Sequence, residues 1–136
     1  MVKKASANTY TYAVGRRKSA IATVKVYPGK GDLQVNTQTI EKYFPTPTEK
    51  IIYERPFAAT GTMGKYHFSA KILGGGKNGQ IKSLVLAISR ALKKIDNTFT
   101  SVLRTNGLLT VDSRVRERRM VGTGGKARRQ KQSPKR

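Results

Sequence analysis

The sequence predicts one small α/β domain, a short sheet with helices packed on it, continued by a basic C-terminal tail. Three observations carry this. The chain has 136 residues, enough for one modest core and too few for a separate substrate domain. Up to Gly107 the apolar pattern alternates between period two and the 3.6-residue period of a helix. From Ser113 to Arg136, ten basic residues stand against one acid, Glu117, with only Val115, Met120, Val121 and Ala127 as apolar material. Such a segment buries too little surface to fold alone. The expected organisation is therefore a globular domain over 1–112, flexible over 1–8, and an extended basic tail over 113–136.

In chain order, ANTYTYAV (7–14) and IATVKVY (21–27) have the β-branched and aromatic content of strands. Ala22, Val24 and Val26 fall on one face, Thr23, Lys25 and Tyr27 on the other. Between them VGRRKSA (14–20) reads as a glycine-led turn whose arginines splay outward. Pro28 and Gly29 end the second strand, and GKGD makes a turn. LQVNTQTI gives two short extended pieces around Asn36 and Thr37, and IEKYF one helical turn. TPTE at Thr46 has the residues of a capping box with Pro47 at the first helical position, starting a helix expected to run to Pro56. YHFSAKIL (66–73) alternates Tyr66, Phe68, Ala70 and Ile72 against His67, Ser69 and Lys71, a strand with one buried face. After the loop GGGKNGQ (74–80), Ile81, Leu84, Val85, Ile88, Leu92 and Ile95 recur at helical spacing, with Lys82, Ser89 and Lys93 opposite. Asn97 caps a last short helix carrying Phe99, Val102 and Leu103, closed by Asn106 and Gly107.

The charge decides the class of partner. Twenty-eight Lys and Arg against seven Asp and Glu give +21 and a pI near 10.8, so the folded chain repels itself unless a polyanion is present. The tail carries +9 of this and the domain +12. No stretch approaches the roughly 20 apolar residues of a spanning helix, and no basic amphipathic helix suits an interface, which disfavours a membrane. MVKKASANTYTY lacks the apolar run of a secretory signal. The absence of Cys removes disulfides and thiolate metal sites.

Strand, glycine loop, helix is also the order of a nucleotide-hydrolysing P-loop. Gly74 and Gly79 have its spacing, but Gln80 and Ile81 stand where Lys and Ser or Thr must reach phosphate and magnesium. Lys77 reads as a loop residue, not a first-turn lysine, and no acid closes an apolar strand. What remains is backbone chemistry: converging amides can hold a phosphate with help from Lys77 and Asn78, or the glycines merely turn the chain. His67, the one histidine, falls opposite the buried face, and the acids at 32, 41, 49, 54, 96, 112 and 117 form no metal-binding spacing. Glu41, Glu49 and Glu54 read as helix-surface or capping groups. No enzyme, cofactor, metal or small-molecule substrate is expected.

The positive case rests on Arg16, Arg17 and Lys18, whose side chains suit phosphate, and on the long tail. A +9 extension on a basic globule fits a protein threaded through folded RNA. Few aromatics accompany the charge, so shape and backbone recognition is expected more than base stacking. A free, sequence-tolerant nucleic-acid-condensing protein would satisfy the charge as well.

With GRRKSAIATVKVYPGKG near the start, VN and EKYF in the middle, GGGKNGQ followed by ISRAL, and GLLTVDSRVRER leading to KARR and a final Lys-Arg, residues 10–136 resemble the bacterial-type small-subunit ribosomal protein nine family. The resemblance implies a two-layer α/β domain like domain two of ribosomal protein S-five, with a left-handed βαβ crossover and an extended tail. It implies a structural role in the head of the small ribosomal subunit, in the bacterial cytoplasm or an organelle, beside neighbouring head proteins. Carried over by position, Arg16, Arg17, Lys18, Lys77, Asn78, Arg114, Arg116, Arg118, Arg119, Lys126, Arg128, Arg129 and Lys131 are rRNA contacts. Lys135 and Arg136 are contacts to the anticodon stem of peptidyl-site tRNA. Val111 and Ser113 stand where the family commonly has Arg and Pro, the GTGGK segment is one residue longer, and Ser133 and Pro134 replace the family's Phe-Ser before the terminal Lys-Arg.

Overall fold

In a computed structural model describing residues 9–128, β1 (Thr11–Arg17) and β2 (Ala20–Pro28) form an antiparallel hairpin. The short β3 (Gln34–Val35) and β4 (Gln38–Thr39) form a second. Helix α1 (Ile40–Tyr43) and helix α2 (Pro47–Thr60) lead to β5 (Tyr66–Leu73), and α3 (Lys77–Ile95) and α4 (Phe99–Thr105) follow. The sheet order is β1-β2-β5-β3-β4. Every pairing is antiparallel except β3 with β5, which is parallel and closed by a crossover through β4, α1 and α2.

Alternation in the strands becomes a one-sided sheet. Ala13, Ala22, Val24, Val26, Phe68, Ala70 and Ile72 are buried, while Tyr12, Arg16, Ile21, Lys25, Ser69, Lys71 and Leu73 are exposed on the other face. Helix α3 lies on the buried face, and Leu84, Ile88 and Leu92 are fully buried there. Each such side chain contributes about 1.5–3 kcal/mol relative to exposure. Gly15 sets how near α3 can come: a Cβ there would lie 2.6 Å from the Ala87 nitrogen and closer still to the Ser83 carbonyl oxygen. The β3–β4 turn places Asn36 and Thr37 at φ 47° and 68°, the left-handed pair a tight hairpin requires. Asn36 then docks this hairpin on β5, its amide donating to Ile72 O at 3.0 Å and accepting from Ile72 N–H at 2.9 Å.

Several expectations are corrected. β1 runs on through Gly15, Arg16 and Arg17, and the turn shrinks to Lys18 and Ser19 because pairing with β2 continues to Arg17 opposite Ala20. Helix α2 does not stop at Pro56 but continues to Thr60 and ends at Gly61, φ 66°. The proline forfeits one backbone bond, which burial of Tyr53, Pro56 and Phe57 outweighs, and the Thr60 hydroxyl donates to Pro56 O at 2.9 Å. At its start, the Glu49 carboxylate accepts the Thr46 N–H at 3.2 Å, as its position in the capping motif requires. Ser89 is buried, not on a polar face: α3 is covered by α2 and α4 as well as by the sheet, and Ser89 donates to Val85 O at 2.8 Å. Helix α4 is capped one residue later than read, at Thr98, whose N–H is accepted by Asp96 at 2.9 Å. That bond holds the Asp96 carboxyl below its ordinary pKa.

Candidate nucleic-acid interface

The β1–β2 turn separates its three cations. Arg16, on the edge strand β1, is exposed and borders a hollow shared with α2 and α3, and Lys18 is exposed at the tip with φ 54°. Arg17 points to the helical side and is 8% exposed. Outward splay of both arginines is therefore corrected: strand alternation continues to position 17 and turns that guanidinium inward.

Arg17 is spent on the root of the tail. Its Nη1 donates to Arg114 O at 2.8 Å, and its Nη2 lies 3.2 Å from the Asp112 carboxylate. Arg114 folds back on the same carboxylate, Nη2 to Oδ2 at 2.8 Å and Nε to Oδ1 at 3.0 Å, while its N–H donates to Oδ1 at 3.1 Å. These bonds from Arg114, helped by both guanidinium charges, hold the Asp112 carboxyl well below the usual carboxylate range. The same contact raises the Arg114 pKa. One acid thus fixes where the chain leaves the domain, 97 residues along from its anchor. Composition gave no sign of this; only the fold brings residues 17 and 112 together.

The glycine loop resolves into unequal parts. Gly74 and Gly75 have φ 73° and 66°, and Cβ atoms there would lie 2.6 Å from Ser19 O and 3.0 Å from Ala20. Turn geometry and close approach to the β1–β2 turn both demand glycine there. Gly76 is the N-cap of α3, and a Cβ added there would meet nothing within 4 Å. Lys77 begins the helix, correcting its reading as a loop residue. Its Nζ donates to Tyr43 O at 2.9 Å and sits 3.6 Å from the Tyr43 ring centre. Gln80, where a P-loop has lysine, accepts from Tyr43 Oη at 2.8 Å and donates to Gly74 O at 3.0 Å. Asn78 is exposed beside this network.

Along the tail, Arg116, Arg118, Arg119, Lys126 and Arg128 are exposed, and their side chains make no hydrogen bond or ion pair to any described residue. The chain is not fully extended there. Thr123 is buried, its hydroxyl donates to Met120 O at 2.7 Å, and turns follow at Gly122, Gly124 and Gly125, all at positive φ. Arg129, Lys131, Lys135 and Arg136 lie outside the described residues.

Further cations emerge that motif reading passed over. Arg90 donates to Val14 O at 2.8 Å and Lys94 to Tyr12 O at 2.7 Å, covering the free edge of β1. Their i, i+4 spacing in SRALKK was the available signal. Arg55 and Lys82 are exposed near Arg16 around one hollow. His67 stacks on Tyr27 at 5.2 Å and its Nδ1 lies 3.1 Å from Gly29 O. No cluster of possible metal ligands occurs among the described residues, and no helix among them is long and apolar enough to cross a membrane.

The profile of the family described as Ribosomal protein S9/S16 matches residues 15–136. The chain is 43% identical over 122 residues to the small ribosomal subunit protein uS9 of Dehalococcoides mccartyi, covering 90% of each. It is 42% identical over 111 residues to that of Syntrophobacter fumaroxidans, covering 82% of this chain and 85% of the relative. To that of Cutibacterium acnes it is 44% identical over 125 residues, covering 91% and 72%.

Proposed function

This chain belongs to the ribosomal protein S9/S16 family and is a structural, non-enzymatic protein of the small ribosomal subunit; from that premise we propose that it binds the rRNA of the subunit head with its domain and reaches peptidyl-site tRNA with its tail. The observation that carries the reading is the imbalance of partners. Among the described residues the only ion pairs are those of Asp112, whereas the exposed side chains of Arg116, Arg118, Arg119 and Arg128 have no acceptor among them. Phosphate is the acceptor they fit. On this reading Arg16, Lys18, Lys77 and Asn78 contact rRNA from the domain, and Arg114, Arg116, Arg118, Arg119, Lys126, Arg128, Arg129 and Lys131 contact it along the tail. Arg17 serves the same interface by holding the tail root, with its own phosphate contact secondary. Lys135 and Arg136 touch the anticodon stem.

The parallel crossover from β3 to β5 is the place where the left-handed βαβ connection of a ribosomal protein S-five domain-two-like fold belongs, an exception to the usual right-handed rule. Residues 113–136 form the extension, and fully stretched they span about 80 Å at roughly 3.3–3.6 Å per residue. Neighbouring head proteins share the site.

Deleting residues 134–136 tests the tail. Charge-assisted phosphate contacts of about 1.5–3 kcal/mol each are lost only at the tip. Subunits should assemble normally, while peptidyl-site tRNA dissociates faster, increasingly so at low magnesium. Unchanged tRNA dissociation sinks the assignment. Gradient sedimentation checks the wider reading: stoichiometric migration with small subunits supports it, and migration with chromosomal DNA supports a free condensing protein instead.

A further inference from the structure

Where the end of β1 meets α2, α3 and the segment after α4, the surface opens into a hollow of about 350 Å³. Its lining combines two chemistries. Ile52, Val85 and Leu108 contribute apolar wall, and Arg16, Arg55 and Lys82 contribute charge. The side chains of Arg16 and Lys82 make no hydrogen bond or ion pair to any described residue, and that of Arg55 makes one long bond, 3.4 Å, to Asn106 O. Asp112, the single acid in the lining, is already held by Arg17 and Arg114.

Three uncompensated cations around an apolar hollow are unfavourable in the free protein: the charges repel one another, and the apolar wall stays wet. A guest that relieves both is an anion with an apolar part, as a nucleotide is. Arg17 adds a further demand, since its Nε is the one buried side-chain nitrogen or oxygen among the described residues without a hydrogen-bond partner. A buried donor left unpaired is unfavourable, and Arg17 belongs to the same lining. The volume lies in the range of sites for small ligands, roughly 300–1,000 Å³, large enough for one nucleotide and too small for a duplex.

We propose that this hollow takes a single unstacked nucleotide of the small-subunit rRNA, with its phosphate against Arg16, Arg55 and Lys82 and its base against Ile52, Val85 and Leu108. The proposal rests on the ribosomal reading above and extends it to Arg55 and Lys82. Unpaired, splayed nucleotides are what proteins read most specifically in folded RNA. The free hydroxyl of Thr110, also in the lining and exposed, can accept or donate at a base edge.

Small subunits reconstituted with the full chain, wild type or R55Q/K82Q, test this by base-reactivity mapping of the rRNA. Both substituted side chains are exposed, so the variant should fold and assemble. The expected result is one unpaired nucleotide, protected in wild-type subunits, that becomes several-fold more reactive in the variant. Superimposable reactivity maps overturn the proposal. Ultraviolet cross-linking of wild-type subunits gives an independent reading: a single-nucleotide adduct on the peptide from Ile81 to Arg90 supports the site, and adducts confined to the tail oppose it. Free nucleotide is the other source of the same chemistry. Stabilisation of the isolated full chain by micromolar adenosine monophosphate would reassign the hollow to a soluble ligand and overturn the rRNA assignment. Failure of the wild-type chain to sediment with small subunits would overturn the parent reading, a result distinct from an unchanged map.

Discussion

Replacing Gly15 by alanine tests the central packing of the domain with one methyl group. Gly15 sits inside β1 facing α3, and its added Cβ would come within 2.6 Å of the Ala87 nitrogen and nearer to the Ser83 carbonyl oxygen. Both atoms are helix backbone, so no rotamer change relieves the contact; the helix or the strand must move. Overpacking of a core costs about 1–3 kcal/mol, and the upper part of that range applies when the obstacle is main chain. The lower chain entropy of unfolded alanine returns about 0.4–1 kcal/mol. A net loss of about 1–2.5 kcal/mol corresponds to a fall in Tm of roughly 3–12 °C for a chain of this size. Thermal circular dichroism of the free full chain reads it, at a salt concentration that strips bound nucleic acid. Gly76→Ser is the matched control, because Gly76 has extended backbone dihedrals, φ −99° and ψ 173°, and open space. As an N-cap, serine should stabilise by a few tenths of a kcal/mol. A Gly15→Ala protein melting within a degree of its parent would refute the strand-to-helix approach described above.

Gly74→Ala should destabilise by about 1–3 kcal/mol in the same melt, combining φ 73° with a Cβ 2.6 Å from Ser19 O; a neutral result would mean the loop does not pack on the β1–β2 turn. Ser89→Lys should prevent folding, because a charge would enter a fully buried site, whereas Lys82→Ser should leave Tm within about 0.5 kcal/mol equivalent; equal tolerance of both would place Ser89 at the surface. Asp112 has a folded pKa below its unfolded value near 3.9, so its stabilising effect is complete above about pH 5 and is lost as pH falls through the acid range. Asp112→Asn should therefore lower stability at pH 7 and flatten the decline below about pH 4; parallel acid-unfolding curves for the two proteins would show that the carboxylate contributes nothing.

Much of the fold was legible in local pattern. Period-two alternation gave the buried faces of β2 and β5 correctly, LQVNTQTI the two short extended pieces around Asn36 and Thr37 that pair as β3 and β4, and the threonine, proline and glutamate at 46, 47 and 49 the start of α2. These are interactions between residues close in sequence, and local rules suffice. Pro56 misled for the same reason. Its bias against helix is local, and the burial of Tyr53, Pro56 and Phe57 that overrides it depends on elements far along the chain. Ser89 looked polar-facing because a helix covered on one side was assumed, while α2 and α4 cover the other.

For the candidate interface the division is similar. Sequence by itself pointed to a polyanion as partner, since net charge is independent of fold, and showed that nucleotide chemistry lacks its lysine and hydroxyl at Gln80 and Ile81. Tertiary structure alone decided which cations are free to meet that partner. Arg17 and Arg114 look like their neighbours in sequence, yet they converge on Asp112, and Lys77 is drawn to Tyr43. Arg55 and Lys82, far apart in the chain, meet around one hollow with Arg16. Charge is a property each residue carries into any conformation, but its availability depends on which oppositely charged or carbonyl groups the chain brings within about 3 Å, and only folding sets those distances.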